Sequence, residues 1–354
     1  MHRDFLPTRN AGQVHVGFRL KTLINLVFIS LLLISGCSKQ DQKEVVIYTS
    51  LDQVFSEPVL KDFQEKTGLE VKAVYDVEAS KTTGLFNRLL AEKANPQCDV
   101  FWNSEVGRTI ILKKEGVLTP YVSPSAEDIP AQFKDADGSW TGFAARARVL
   151  VYNTDLLEES ELPDSIFELT EPGWKGRVAM GYPLFGTTAT HVAALWAHLG
   201  PDKTEEYLKA LKANKIVIVD GNAVARDMVV KGRVPLAFTD TDDVNVAVQS
   251  GKPVKMIYPD SQGMGTLFIP NTVAMIKDCP HPEEAKILID YLLSREVESR
   301  LAFSESAQVP VRDGVPTPAH VPLHSSVKAM VVDYEDIAKN MKEATRFCQE
   351  LFVR

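Results

Sequence analysis

The chain has 354 residues, 45% of them hydrophobic, which is enough for full-sized cores and favours two domains or lobes. Its 39 Lys and Arg stand against 47 Asp and Glu, a net charge of −8, and 24% of residues are charged. That acidic, well-mixed balance argues against a nucleic-acid partner and leaves cationic or amine ligands open.

The N-terminus opens with a basic stretch, Arg19 and Lys21, then an almost wholly apolar run from Leu23 to Ile34, then Ser35-Gly36-Cys37. The run is shorter than the ~18–20 residues of a membrane span. With small residues ahead of a cysteine, it is expected to be a secretory leader over 1–36 that ends at a lipidated Cys37. An uncleaved anchor or a buried helix is the alternative. Residues 37–43 then form a polar tether, and the leader holds Arg3, Arg9, Arg19 and Lys21 against Asp4, so removing it leaves −11. Localisation would be the cell envelope, at its periplasmic or extracellular face, with lipid anchoring through Cys37. Besides Cys37, only Cys98, Cys279 and Cys348 remain, allowing one disulfide at most and leaving one thiol over. No zinc-type Cys/His spacing occurs.

Val45-Val46-Ile47-Tyr48 reads as a buried strand. A helix follows with Ser56 as its expected N-cap and Pro58 in the first turn, closed by Gly68. Residues 69–75 alternate as a second strand, so the unit is βαβ and its sheet parallel. Helix over Gly84–Lys93, strand over Asp99–Trp102 and helix to Glu115 with Gly116 as its stop repeat the pattern. A strand over Arg146–Tyr152 opens a second α/β set. In it, strands at 178–180, 216–219, 236–238 and 256–258 alternate with helices that end at Gly200, Gly232 and Gly251. Thr272–Ile276 reads as a strand returning to the first sheet. The fold class expected is α/β, two-lobed, with lobe 1 over 44–143 plus 266–354 and lobe 2 over 144–265, and a ligand cleft at the carboxyl ends of the strands.

Five strand-to-helix loops face such a cleft. Thr49 to Gln53 carries Ser50, Glu78 to Gly84 carries Ser80, and Trp102 to Glu105 carries Asn103 and Glu105. Ordinary helix capping is the competing explanation for each. The fourth, Tyr182 to Thr188, offers Gly186, Thr187 and Thr188 at a helix N-terminus, a place that suits an anion. The fifth is Asp240-Thr241-Asp242-Asp243. Acids in a first turn complement the helix dipole, yet three carboxylates within four residues exceed what one cap needs. Like charges that close call for a cation between them, either a hard metal on oxygen ligands or an ammonium group. Asp240, Asp242 and Asp243 are therefore the candidate metal ligands, and Asp220 and Asn222 join the ligand set from the neighbouring loop. His191 and His198, seven apart on one helix, lack a third ligand and read as packing or surface. Arg146 and Arg148 flank the first crossing, where an anion contact and an interlobe salt bridge are both open. No GxSxG, P-loop, GxGxxG or HExxH pattern is present, so no enzyme chemistry is expected; a lipoprotein hydrolase or transferase is the alternative from another class.

Several stretches resemble one family. Val45 to Ser50, Phe63 to Gly68, Cys98 to Trp102, Glu115 to Leu118, Arg146 to Asn153, Trp174 to Arg177 and Val234 to Ala237 together resemble the bacterial extracellular solute-binding proteins of ABC importers, closest to the ferric-iron-binding branch. The resemblance implies a type II periplasmic-binding-protein fold, a monomer, a membrane permease as partner, no required cofactor, and Fe3+ with a helper anion as the transported ligand. The family's tyrosine pair matches Asp242 and Asp243 here. Its first-loop histidine or tyrosine has no counterpart among Thr49 to Gln53. Its glutamate falls near Ser104, one position from Glu105. Its helper-anion loop matches Gly186-Thr187-Thr188. An aminophosphonate or other small zwitterion is the alternative ligand.

Overall fold

The computed structural model describes residues 43–76 and 82–353. The leader, Cys37 and Ser80 lie outside those residues. A continuous apolar run, Val45 to Tyr48, buries most of β1 (Glu44–Thr49), which pairs in parallel with β2 (Glu70–Tyr75) on one side and β3 (Val100–Asn103) on the other. Between them run α1 (Gln53–Thr67) and α2 (Thr83–Ala91); α3 (Gly107–Lys114) follows β3, and β4 (Leu118–Thr119) is a short edge strand. Gly68 ends α1 at φ 71°, a conformation that costs glycine least.

α1 starts a turn before the expected Ser56. Asp52 stands at its N-cap, and the Ser56 hydroxyl turns back to the carbonyls of Leu51 and Asp52 at 3.2 and 3.0 Å rather than forward to an amide. Pro58 consequently sits inside the helix.

The long strand β5 (Thr141–Asn153) is buried throughout and belongs to both halves of the sheet. Its first part pairs antiparallel with β10 (Phe268–Ile276), up to Ala147 opposite Phe268; its second part pairs with β8 (Leu236–Asp240), from Arg148 opposite Asp240 to Tyr152 opposite Leu236. β9 (Val254–Ile257) lies beside the same part of β5. Near the changeover Ala144 adopts φ 44°, opposite a register shift at Pro270/Asn271. A left-handed alanine costs about 1–2 kcal/mol. Its amide is held by the buried Glu298 carboxylate at 2.8 Å.

In the second half β6 (Val178–Gly181) lies between β7 (Val217–Val219) and β8, all parallel. α4 (Gly186–Leu199), α5 (Pro201–Ala213), α6 (Asn222–Val230) and α7 (Thr241–Gln249) connect these strands. After β10 come α8 (Pro282–Leu292), α9 (Arg295–Phe303) and α10 (Tyr334–Phe352), the last packing on α4 and α5 of the second half and on α3 of the first. Cys98, Cys279 and Cys348 are buried free thiols. Among the described residues no helix is long and apolar enough to cross a membrane.

Candidate functional site

Strand order places the carboxyl ends of β6, β7 and β8 side by side, so the N-termini of α4, α6 and α7 converge. Gly181 makes this approach possible, because a Cβ there would lie 2.9 Å from Asn222 Oδ1 and 3.2 Å from its backbone nitrogen. From the facing half come Asp52, at the start of α1, and Ser104, just after β3. Together with Arg146, Gly186, Thr187, Asn222, Asp240, Asp242 and Asp243 they line a cavity of about 30 Å³. That is room for an ion or a couple of water molecules.

One carboxylate oxygen from each of Asp240, Asp242 and Asp243 lies within 4.8 Å of the others. Oxygens ligating one hard cation at 2.3–2.6 Å stand up to ~5 Å apart, so the spacing suits a shared cation. Asp240, the last residue of β8, is buried and paired with Arg148, whose Nη1 donates to Oδ1 at 2.6 Å. Its Oδ2 accepts from the Thr187 hydroxyl and, at 2.8 Å, from Asn222 Nδ2. Asp242 lies 3.4 Å from Arg146 Nη1. Asp243 accepts from Thr239 Oγ1 at 3.1 Å, while Arg226 Nη1 reaches its backbone carbonyl at 3.2 Å and pairs its own charge with Asp227. The protein's own guanidinium groups therefore supply part of the cationic charge that the sequence pattern assigned to a ligand. Four carboxylates, Asp52 included, line the cavity together with Arg146, and Arg148 pairs with Asp240 from behind it.

Several residues expected in the site do other work. The Ser50 hydroxyl donates to Asn103 Oδ1 at 2.7 Å and accepts from the Ser104 amide at 2.8 Å; Asn103 Nδ2 donates to Thr109 and Glu105. This is an internal polar network beneath the cavity wall. Glu105 caps α3 by accepting from the Arg108 amide at 3.0 Å, and takes a 3.1 Å bond from Thr190 on α4. It joins the two halves and is absent from the cavity lining. Thr241 Oγ1 accepts from the Ala147 amide at 3.1 Å and so anchors β5. Asp220 is exposed, away from the lining. Thr188 Oγ1 bonds Asn222 Oδ1 at 3.1 Å and Arg148 Nη2 at 3.3 Å, behind the lining rather than on it. Asp52 and Ser104 lay in loops singled out from sequence but were not among the candidate ligands, and Arg146 and Arg148 were visible at the crossing without their partners.

His191 is buried against Phe238, ring centroids 4.9 Å apart, and neither ring nitrogen has a hydrogen-bond partner among the described residues. His198 is exposed. Burial first, and the nearby Arg148 charge second, hold the His191 pKa well below its usual 6.5. The unfolded chain thus takes up a proton near pH 6.5 that the folded chain refuses. The stability contribution is whole above pH 6.5 and is lost as pH falls toward the depressed folded pKa, at up to ~1.4 kcal/mol per pH unit. His191→Leu is expected to flatten the decline of Tm between pH 7 and 5 in scanning calorimetry; an equally steep decline would show that other groups set it.

Comparison with known proteins assigns this fold and cavity to a class of solute-binding proteins rather than enzymes. Residues 108–340 match the family described as bacterial extracellular solute-binding protein. The chain belongs to that family, whose members bind solutes for transport. It is 26% identical over 320 residues to iron uptake protein A1 of Synechocystis sp., covering 88% of this chain and 87% of that one. It is 24% identical to the Fe(3+)-binding periplasmic protein of Serratia marcescens, over 85% of this chain and 90% of that one. Among solved structures, iron-bound HitA from Pseudomonas aeruginosa superposes with a TM-score of 0.80 at 25% identity, over 88% of this chain and the whole of that one. The AfuA binding protein of Actinobacillus pleuropneumoniae, with fructose-6-phosphate bound, shares the fold at a TM-score of 0.77 and 21% identity over 88% of this chain and 98% of that one.

Proposed function

We propose that this chain is the solute receptor of an ABC importer for a hard, highly charged cation of the ferric class. It is tethered to the cell envelope through Cys37 and delivers its cargo to a membrane permease. Lobe 1 (44–143 with 266–354) and lobe 2 (144–265) close on the cargo about the crossings near Ala144–Val149 and residues 259–266. Asp242 and Asp243 hold the cation from lobe 2, and Asp52 faces it from lobe 1. The observation that carries this reading is the clustering of carboxylate oxygens from Asp240, Asp242 and Asp243 within 4.8 Å of one another at a cavity the size of one ion. Oxygen donors suit hard cations. Similarity to proteins named for ferric iron supports it further. The aminophosphonate alternative is weaker, because its phosphonate would need the hydroxyl and amide donors at the tips of α4 and α6, which are committed to Asp240 and one another.

A thermal-shift series decides between them. Ferric citrate at about 100 times Kd is expected to stabilise the protein by about 2.7 kcal/mol, a Tm rise of several degrees, with 2-aminoethylphosphonate giving none. The reverse pattern would overturn the cation reading. Among the described residues no tyrosine lines the cavity, so the ferric complex is also expected to lack an intense visible phenolate-to-iron band.

A further inference from the structure

The helper-anion seat expected at Gly186-Thr187-Thr188 is answered by the protein itself. The side chains of Thr187, Thr188 and Asn222 at that seat join Arg148 and Asp240 in one hydrogen-bonded network. Thr187 Oγ1 donates to Asp240 Oδ2 and accepts from Asn222 Nδ2 at 2.8 Å and Arg148 Nη1 at 3.2 Å. Asn222 spends its amide on Thr187 and on Asp240 Oδ2, and its Oδ1 accepts from Thr188 at 3.1 Å and Arg148 at 3.2 Å. Arg148 is fully buried, lies 4.4 Å over the Phe238 ring and gives its shortest bond to Asp240 Oδ1. The Asp240 carboxylate thus takes three donors from three elements, the coordination a bound oxyanion would receive at this junction of helix tips.

We infer that Asp240 is a resident counter-anion: its carboxylate fills the anion seat between α4 and α6, so the receptor takes its cation without a co-bound phosphate, carbonate or citrate. The cation half of this statement rests on the function proposed above; the filled seat does not. A second anion would meet the Asp240 charge and find no uncommitted hydroxyl or amide side chain in the network. Among the described residues, Arg146 also lines the cavity. It is 3% exposed and its Nε has no partner among the described residues, but Nη1 faces Asp242 and Nη2 donates to Asn271 at 3.3 Å. The charges of Asp52, Asp240, Asp242 and Asp243 all act on it, which makes it a neutraliser of the acid cluster.

The test uses the full chain and inorganic phosphate as the probe, first without metal. Wild type is expected to show a Tm shift below about 1 °C at 10 mM phosphate, whereas Asp240→Asn, which removes the charge and keeps the shape, is expected to gain a shift of several degrees. A phosphate-dependent shift in wild type overturns the inference whether or not iron binds. So does an Asp240→Asn protein that stays blind to phosphate. Should that variant fold poorly, wild type loaded from ferric citrate and exhaustively desalted supplies the second measurement. Its iron, phosphorus and citrate contents are expected to show cation without stoichiometric anion, and one anion per iron would overturn the inference. Failure of ferric citrate to bind at all, read in the thermal-shift series above, bears on the proposed function and leaves the phosphate result to decide the seat.

Discussion

Arg148→Met is expected to destabilise the protein by about 3–5 kcal/mol, read as a lowered midpoint in urea unfolding, because it leaves a buried carboxylate without its countercharge. Arg148 is 0% exposed, and its loss strips Asp240 of a 2.6 Å charge-assisted bond. The stacking of the guanidinium on Phe238 goes with it, as do its bonds to Thr187, Thr188 and Asn222. Remaining donors to Asp240 from Thr187 and Asn222 satisfy hydrogen bonding without neutralising charge. The double variant Arg148→Met/Asp240→Asn is therefore expected to recover a large part of the loss, since replacing both partners of a buried pair is far less damaging than removing one. A double variant no more stable than the single would mean that Arg148 acts through packing, not through its pairing with Asp240.

That pair also marks where the sequence stops being legible. Local patterns were enough for the βαβ order, because the apolar run of β1, the alternation of β2 and terminal glycines are all encoded within a few residues. Boundaries failed where a local signal had two meanings. Ser56 followed by Pro58 reads as a helix start, yet the serine hydroxyl bonds backwards into a helix already under way. β5 was readable only from Arg146, since Gly142, Ala144 and Ala145 carry little strand propensity; its first half is held by pairing with β10, more than a hundred residues away.

The site divides the same way. The acid cluster and the α4 tip are contiguous in sequence, so their chemistry could be proposed directly. What they face could not. Arg148 stands opposite Asp240 through a strand register spanning 92 residues, and Arg146 reaches Asp242 across the same crossing. Without those registers three clustered acids ask for an external cation, and a Thr-Thr helix start asks for an external anion. With them, part of each demand is met internally. Ser50, Asn103 and Glu105 illustrate the opposite ambiguity: polar residues in strand-to-helix loops, which capping and buried networks use as readily as ligands do.

Asp242→Asn is expected to weaken ferric binding by at least about 100-fold, equivalent to about 2.7 kcal/mol, while shifting the Tm of the ligand-free protein by little. The variant keeps the shape of the side chain and removes one anionic donor from the cluster whose oxygens lie within 4.8 Å of one another. Two opposing effects make the cost to folding small. Arg146 loses the carboxylate 3.4 Å from Nη1, but the remaining acids Asp52, Asp240 and Asp243 still neutralise it, and repulsion within the cluster falls. Asp243→Asn is expected to behave alike, whereas Asp220→Asn, on the exposed loop outside the cavity, is expected to bind iron as wild type does. Competition titration against a ferric chelator of known affinity measures all three. Unchanged affinity in both Asp242→Asn and Asp243→Asn would remove the cation from this cavity, and a loss in Asp220→Asn comparable to theirs would place the charge that matters on the outer surface instead.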